Sequence, residues 1–160
     1  MILEHIPGQV KFLVCVDASE ECKAALKFAC MRAKNSNGLV LILYVVEPND
    51  MQHFAGVEKV MEREAEEEAE RVLLELQTET FQEFTIEIEK KISYGAKYTC
   101  IVDLINEDKS ISILVLGAAP EGKGTNELIN KFSTGLTNSI HIPLTIVPGN
   151  LNNDELEKIT

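Results

Sequence analysis

The sequence predicts an open α/β fold, a mostly parallel, Rossmann-like sheet of five strands in the order 3-2-1-4-5 with helices on both faces. Three observations predict it. Apolar, β-branched stretches alternate along the chain with stretches of helical periodicity, which is typical of βαβ units. Three of the apolar stretches are continuous, as in strands buried on both faces, whereas another alternates with charged residues, as an edge strand does.

The first βαβ unit occupies the start of the chain. VKFLVCVD at 10–17 and LVLILYVV at 39–46 are continuous apolar stretches, which predict two buried strands. Between them, Cys, Ala and Leu recur at helical spacing over 22–33. Either Asp17 or Ser19 can cap that helix, because both residue types accept hydrogen bonds from the first turn.

A long helix and an edge strand follow. Apolar residues recur at steps of three or four between positions 57 and 76, which predicts one buried helical face. Another face carries glutamates at positions 58, 62, 66 and 70, and we expect that face to meet water or a cationic partner. FTIEIEKKI at 84–92 alternates apolar and charged residues, so it predicts a strand at the sheet edge.

The remaining segments complete the sheet. ISILVLGA at 111–118 is a third continuous apolar strand, preceded by a helix and followed by a short helix over 125–136. IPLTIVPG at 142–149 is the last strand. No linker divides the chain, so we predict one domain over 1–150 and a polar tail over 151–160, with room for one or two helical turns.

Composition excludes several function classes. The net charge of −11 argues against nucleic acid as a partner, because phosphates are bound by Lys and Arg. The longest apolar run, at 39–46, is far below the roughly 18 residues of a membrane helix, so no membrane partner is expected. The first residues lack the basic flank and apolar core of a signal peptide, and the four cysteines are interpreted as reduced thiols, so we expect a cytoplasmic protein without a metal site.

The predicted topology also predicts where a ligand binds. In open α/β sheets, ligands lie beyond the carboxyl ends of the strands where the strand order reverses. Here that point falls between strands one and four, and the loops that meet there are 16–19 and 117–124. The first loop brings Asp17 and the second brings glycines and Lys123, which suits a small polar molecule with an apolar ring.

The second loop contains G-x-x-x-x-G-K, most of a P-loop. A Walker A sequence needs Ser or Thr directly after the lysine to hold magnesium, but Gly124 follows Lys123 and Thr125 comes one residue late. We therefore interpret it as a glycine-rich turn before a helix, where backbone N–H groups favour an anion. An ordinary strand-to-helix turn is the alternative.

Four segments in order resemble the universal stress protein family: KFLVCVDASEECKAALKFA, LILYVVEP, ILVLGA and IPLTIVPG. V-D-x-S after strand one and V-x-E-P after strand two are landmarks of that family. The resemblance spans nearly the whole chain and implies the same sheet order and a role in stress response. It also implies a homodimer in which the last strands of two subunits meet, here through residues 142–148.

A subset of the family binds ATP, so the resemblance implies ATP or another adenine nucleotide as the ligand, with Mg²⁺ accompanying ATP. Val16 and Asp17 then hold the adenosine, Asp17 accepts hydrogen bonds from ribose or adenine, and Val45 packs against the base. The contacts of strand four correspond to Leu116 and Gly117. The phosphate turn corresponds to Gly122, Lys123 and Gly124.

The phosphate half of the motif departs from the family pattern, which is G-x-x-G, nine residues, then G-[S/T]. Position 120 is Pro, and Gly135 is followed by Leu136. Two functions stay open: a stress-response protein regulated by an adenine nucleotide, and a dimeric module that binds another protein and no nucleotide. The sequence offers no Ser/His/Asp or Cys/His constellation, so we expect no enzyme beyond a weak ATPase.

Overall fold

The computed structural model describes residues 8–48, 58–122 and 126–160. In chain order the elements are β1 (Lys11–Val16), α1 (Glu20–Ser36), β2 (Leu39–Val46), α2 (Glu58–Phe84), β3 (Glu89–Tyr94), α3 (Lys97–Glu107), β4 (Ile113–Ala118), α4 (Glu127–Ser139), β5 (Leu144–Pro148) and α5 (Asn153–Ile159). The five strands form one sheet in the order β3-β2-β1-β4-β5, and each neighbouring pair is parallel. The predicted fold class is confirmed.

Two hydrophobic cores lie on opposite faces of the sheet. Val14 and Ile42 face the core that α1, α2 and α5 cover, whereas Leu13 and Leu43 face the core that α3 and α4 cover. All four side chains are fully buried. Successive residues of a strand point to opposite faces, so a strand covered on both sides must be apolar throughout.

The start of α1 resolves the choice between its two candidate caps. Ser19 is the N-cap, and its hydroxyl accepts a hydrogen bond from the backbone N–H of Cys22 at 3.3 Å. Asp17 stabilises the turn before the helix, because its Oδ1 accepts a hydrogen bond from the backbone N–H of Ser19 at 2.7 Å. The cap and the turn before it therefore hold the first turn of α1 against the end of β1.

The edge strand β3 begins later than the alternation at 84–92 predicts. Phe84 is the last residue of α2, Thr85 has a left-handed backbone with φ of 55°, and the pairing with β2 begins at Glu89. Phe84 and Ile88 are both buried in the core on the α2 side. Their apolar alternation therefore reflects packing at a helix end and in the connection that follows it.

The C-terminal residues that we predicted as a polar tail form α5. Asn152 caps this helix in a capping box with Glu155. On the inner side Leu156 is fully buried in the core that α1 and α2 share. Leu156, together with the partly buried Leu151, thus joins the C-terminal residues to the body of the domain.

Helix α2 is the longest element, with 27 residues. Its buried face contributes Ala69, Val72, Leu73 and Leu76 to the core. The helix contains ten glutamates and only three basic residues, a net charge of −7 out of −11 for the chain. Among the described residues, no helix is both long and apolar enough to cross a membrane.

Candidate functional site

The carboxyl ends of β1 and β4 lie side by side and border an open cavity. The two strands are paired over Phe12–Val14 and Ile113–Val115, so the loops that follow them meet at the same sheet edge. The cavity has a volume of about 330 Å³, and Asp17, Leu116 and Gly117 are among its lining residues. It lies at the switch point that the topology predicts for a ligand.

Three helices begin at this cavity. Ser19 and Glu21 belong to the start of α1, Lys97 to that of α3, and Asn126 and Glu127 to that of α4. In a parallel sheet each helix starts after a strand, so helix N-termini gather at the carboxyl edge. Their free backbone N–H groups carry partial positive charge, which favours an anionic group in the cavity.

The charged side chains of the cavity offset part of the attraction that the helix N-termini exert on an anion. Four carboxylates and two ammonium groups line the cavity: those of Asp17, Glu21, Glu47, Glu127, Lys97 and Lys131. The site therefore holds more negative than positive side-chain charge. A compact, weakly charged anion suits this arrangement better than a bare triphosphate.

Lys97 joins two of the carboxylates. Its Nζ lies 3.8 Å from Oδ2 of Asp17 and 3.5 Å from Oε1 of Glu47. Partial burial by itself would lower the pKa of Lys97, but the neighbouring carboxylates outweigh it, and the net pKa lies above the usual value. Lys97 thus stays protonated at neutral pH and offsets part of the negative charge.

Sequence reasoning missed Lys97 and assigned Glu47 no role. Both could have been found from topology, because Glu47 directly follows β2 and Lys97 comes three residues after β3. Residues after parallel strands collect at one sheet edge, so polar side chains at those positions are candidates whether or not they belong to a motif.

The other predicted site residues have varied locations. Val16 and Val45 are buried, Val16 in the core beside α1 and Val45 in the core beside α3. Gly122 lies in an exposed turn with a left-handed φ of 78°. Lys123 and Gly124 lie outside the described residues.

Gly117 allows α1 to approach β4 closely. A Cβ at position 117 would overlap the backbone carbonyl of Glu21 in the first turn of α1. Gly149 has the same role from the end of β5, where a Cβ would come within 2.5 Å of the Glu21 Cβ. Both glycines are therefore required by contact with the first turn of α1, which forms one wall of the cavity.

Asn126 closes the loop that precedes α4. Its Oδ1 accepts a hydrogen bond from the N–H of Ala119 at 2.8 Å, and its Nδ2 donates to the carbonyl of the same residue at 3.4 Å. The two ends of the predicted phosphate turn are thus tied together by one side chain. Sequence reasoning did not identify this contact, although an Asn directly before a helix is a recognisable signal.

Two thiols line the cavity without forming a reactive centre. Burial raises the pKa of Cys15 to about 12, and burial also raises the pKa of Cys22. Both thiols are therefore protonated at neutral pH, and a protonated thiol is a poor nucleophile. Cys22 instead packs against the Asp17 backbone, with its Sγ 3.2 Å from the Asp17 nitrogen.

Comparisons with known proteins agree with this fold. The sequence profile of the Universal stress protein family matches residues 10–148. The universal stress protein UspA of Lactobacillus plantarum is 20% identical, with a TM-score of 0.69 over 86% of this chain and 97% of that chain. No curated protein sequence matches the chain.

Two similar structures were solved with nucleotides. A universal stress protein family protein of Arabidopsis thaliana with AMP bound is 22% identical, with a TM-score of 0.60 over 91% of this chain and 94% of that chain. A universal stress protein in complex with cAMP is 19% identical, with a TM-score of 0.53 over 89% of this chain and 98% of that chain. Because the family profile matches most of its length, this chain belongs to the universal stress protein family, as its four ordered segments predicted.

Proposed function

We propose that this universal stress protein binds an adenine nucleotide as a regulatory ligand in the cavity between β1 and β4. The observation that carries the proposal is the cavity itself. Its volume of about 330 Å³ lies within the range of small-molecule sites, and it is bordered by the predicted residues Asp17, Leu116 and Gly117. Structural relatives with AMP and cAMP support the same ligand class.

The polar contacts suggest how the ligand is held. Oδ1 of Asp17 accepts from the N–H of Ser19, so we expect Oδ2, which lies 3.8 Å from Nζ of Lys97, to accept from a ribose hydroxyl or an adenine amine. Val16 and Val45 do not line the cavity, so their contacts with the adenosine stay predictions. The phosphate binds near the start of α4, where helix N–H groups and Lys131 favour an anion. Gly122, Lys123 and Gly124 stay predicted contacts of that phosphate.

The charge of the cavity selects among adenine nucleotides. A triphosphate would add several negative charges to a site that already has four carboxylates against two lysines. Coulomb repulsion disfavours the binding of ATP unless a cation accompanies it, so ATP requires Mg²⁺ here, whereas AMP does not. We therefore expect AMP to bind more tightly than magnesium-free ATP.

Thermal unfolding with added nucleotide tests the proposal. At a hundred times the dissociation constant a ligand adds about 2.7 kcal/mol to stability, which raises Tm by about 5–10 °C in a domain of this size. Asp17→Asn should remove most of the shift. Asn is preferred to Ala because it keeps the oxygen that accepts from Ser19. The control is Asp154→Asn in the exposed first turn of α5, which should shift like the wild type.

A second measurement uses the protein as purified. Denatured protein is assayed for released adenine nucleotide, and the refolded or fresh chain is titrated with AMP, cAMP and ATP with Mg²⁺. No released nucleotide and no Tm shift at millimolar concentrations of all three would overturn the proposal. That outcome favours the second function, a dimeric module that binds another protein.

The free edge of the sheet supports the homodimer that the second function requires. In the described part of the chain, β5 pairs with β4 alone, so its other edge is available to another strand. Ile146 on this strand is exposed. The proposed dimer joins two such edges through residues 142–148, and it is compatible with either function.

A further inference from the structure

Helix α2 presents a second apolar surface to solvent. Leu74 and Phe81 are 57% and 50% exposed, although the opposite face of the same helix is buried in the core. They are seven residues apart, so they lie two turns apart on one side of the helix. Large apolar side chains that recur at this spacing are typical of a helix face that contacts a partner.

The two side chains line two separate depressions between α2 and the β3 side of the sheet. One depression, of about 540 Å³, is lined by Gln77 and Phe81 of α2 and by Ile86 and Ile88 before β3. The next, of about 440 Å³, is lined by Leu73 and Leu74 and by Ile92 of β3. We call the surface formed by residues 70–82 and 86–92 the α2–β3 groove. Along α2 it extends for about 18 Å, slightly more than three helical turns.

Charge distinguishes one flank of the groove. Glu66 and Glu70 stand on the side of α2 near Tyr94, and desolvation together with these carboxylates raises the pKa of that tyrosine. On the β3 wall, Lys90 and Lys91 line the same depression as Leu74, and Lys91 lies 4.0 Å from Glu107. That part of the wall carries positive charge, so the acidic contacts for a partner lie on the α2 side. The helix as a whole carries a charge of −7, so its field attracts cations.

We infer that the α2–β3 groove is a docking site for a basic amphipathic helix of a partner protein. Its apolar face contacts Leu74 and Phe81, and its Lys or Arg residues contact Glu66 and Glu70. A helix fits because the groove is about three turns long and is lined at helical spacing. A second copy of this chain fits poorly, because it would bring two helices of charge −7 together.

The test is fluorescence anisotropy with the full chain and a defined probe. The probe is a labelled peptide of about 14 residues containing only Leu and Lys, with Leu at the i, i+3, i+4 and i+7 positions of a helix. We expect Leu74→Gln combined with Phe81→Gln to weaken binding at least tenfold. The matched control is Ile159→Gln on α5, where an equally exposed residue (54%) lies outside the groove, and it should leave binding unchanged.

The charge contribution is tested separately. Glu66→Gln combined with Glu70→Gln should also weaken binding, by about tenfold, and should reduce its dependence on salt because two carboxylates are lost. A peptide with Glu in place of Lys should not bind measurably. A version of the Leu/Lys probe carrying a photoreactive group should cross-link to residues 70–82 in the wild type, which locates the site without any variant.

Several outcomes would overturn the inference. If a scrambled Leu/Lys peptide binds as tightly as the amphipathic probe, the binding is only nonspecific attraction to an acidic protein. Equal weakening by Ile159→Gln, or cross-links outside residues 70–92, places the peptide elsewhere. If light scattering shows that the Leu74/Phe81 variant loses an oligomer that the wild type forms, the groove is an interface between copies of this chain.

Discussion

Among single residues, Lys97 offsets part of the negative charge of the cavity. It belongs to the first turn of α3, yet its ammonium group reaches the carboxylates that follow β1 and β2. Both ion pairs are partly exposed, so they contribute at most about 1 kcal/mol to stability. We therefore expect Lys97 to affect the affinity for charged ligands more than the stability of the fold.

Lys97→Met should change which ligands bind. Without the ammonium group the cavity repels a phosphate more strongly, so we expect the affinity for AMP to fall about tenfold while adenosine loses much less. Isothermal titration with both ligands measures the difference. The control is Lys27→Met, whose side chain is similarly exposed (35% against 33%) but pairs with Glu83 on α2. Equal losses for AMP and adenosine would contradict the prediction.

At the opposite end of the sheet, Lys11 is a buried cation with acidic partners. Its Nζ lies 2.9 Å from Asp108 and 3.3 Å from Glu89, and it also donates to Ser110. Desolvation would raise the pKa of Asp108, but hydrogen bonds from Ser110 and Lys11 outweigh it and hold that pKa below its usual value. The cluster joins the starts of β1 and β3 to the end of α3.

Lys11→Met should lower the free energy of unfolding by about 2 kcal/mol at pH 7, since it leaves two partly buried carboxylates without their counter-charge. A depressed pKa stabilises the fold above the unfolded value of about 3.9 and stops doing so as pH falls through the folded value. The difference between wild type and variant should therefore shrink below about pH 4. Urea unfolding at pH 7 and at pH 3 measures it, and a difference that grows in acid would show that Asp108 is not involved.

Among the elements, α1 depends on two glycines for its position. Its first turn lies so close to the ends of β4 and β5 that Gly117 and Gly149 have no room for a side chain. The same turn contributes Ser19 and Glu21 to the cavity. The shape of the cavity is thus coupled to the packing of α1 on the sheet.

Gly117→Ala should destabilise the protein by about 1–3 kcal/mol, because the new methyl group must displace the backbone of Glu21. It should also reduce nucleotide affinity, since the cavity wall moves. Gly135→Ala in α4 is the control, because a Cβ there makes only ordinary contact, at 3.5 Å from Ser139. Chemical denaturation compares the two variants, and equal stability of Gly117→Ala and the wild type would mean that α1 adjusts freely.

For the whole molecule, the proposed dimer joins the β5 edges of two sheets. Ile146→Lys puts a charge on the exposed side of β5, and charged residues disfavour pairing at an edge strand. If the dimer forms through residues 142–148, light scattering should show the molar mass falling by half, with little change in Tm. Ile159→Lys on α5 is the control and should keep the wild-type mass. A dimer that survives Ile146→Lys would require another interface.

Much of the fold followed from local pattern. The apolar run at 39–46 predicts a strand covered on both faces, and β2 indeed lies inside the sheet between β3 and β1. The start of β3 did not follow, because Phe84 and Ile88 alternate like strand residues but are buried at the end of α2 and beyond it. An alternation of apolar and charged residues indicates only which side chains are buried. Packing at a helix end can bury such side chains as well as packing on a sheet can.

The candidate site was predictable only in outline. Asp17 directly follows β1 and Gly117 is the penultimate residue of β4, so topology alone brought them to one sheet edge. The ion pairs of Lys97 and the clamp between Asn126 and Ala119 were not predictable, since they depend on side-chain distances between segments far apart in sequence.

The sequence by itself determined the family, the strand order and the sheet edge where the cavity lies, because hydrophobic periodicity and the residues after each strand are local properties. Only the tertiary structure decided the charge of the cavity, the contact that forbids a side chain at Gly117, and the exposure of Leu74 and Phe81. Those features depend on which surfaces meet when helices pack on the sheet, and no stretch of the chain contains that information alone.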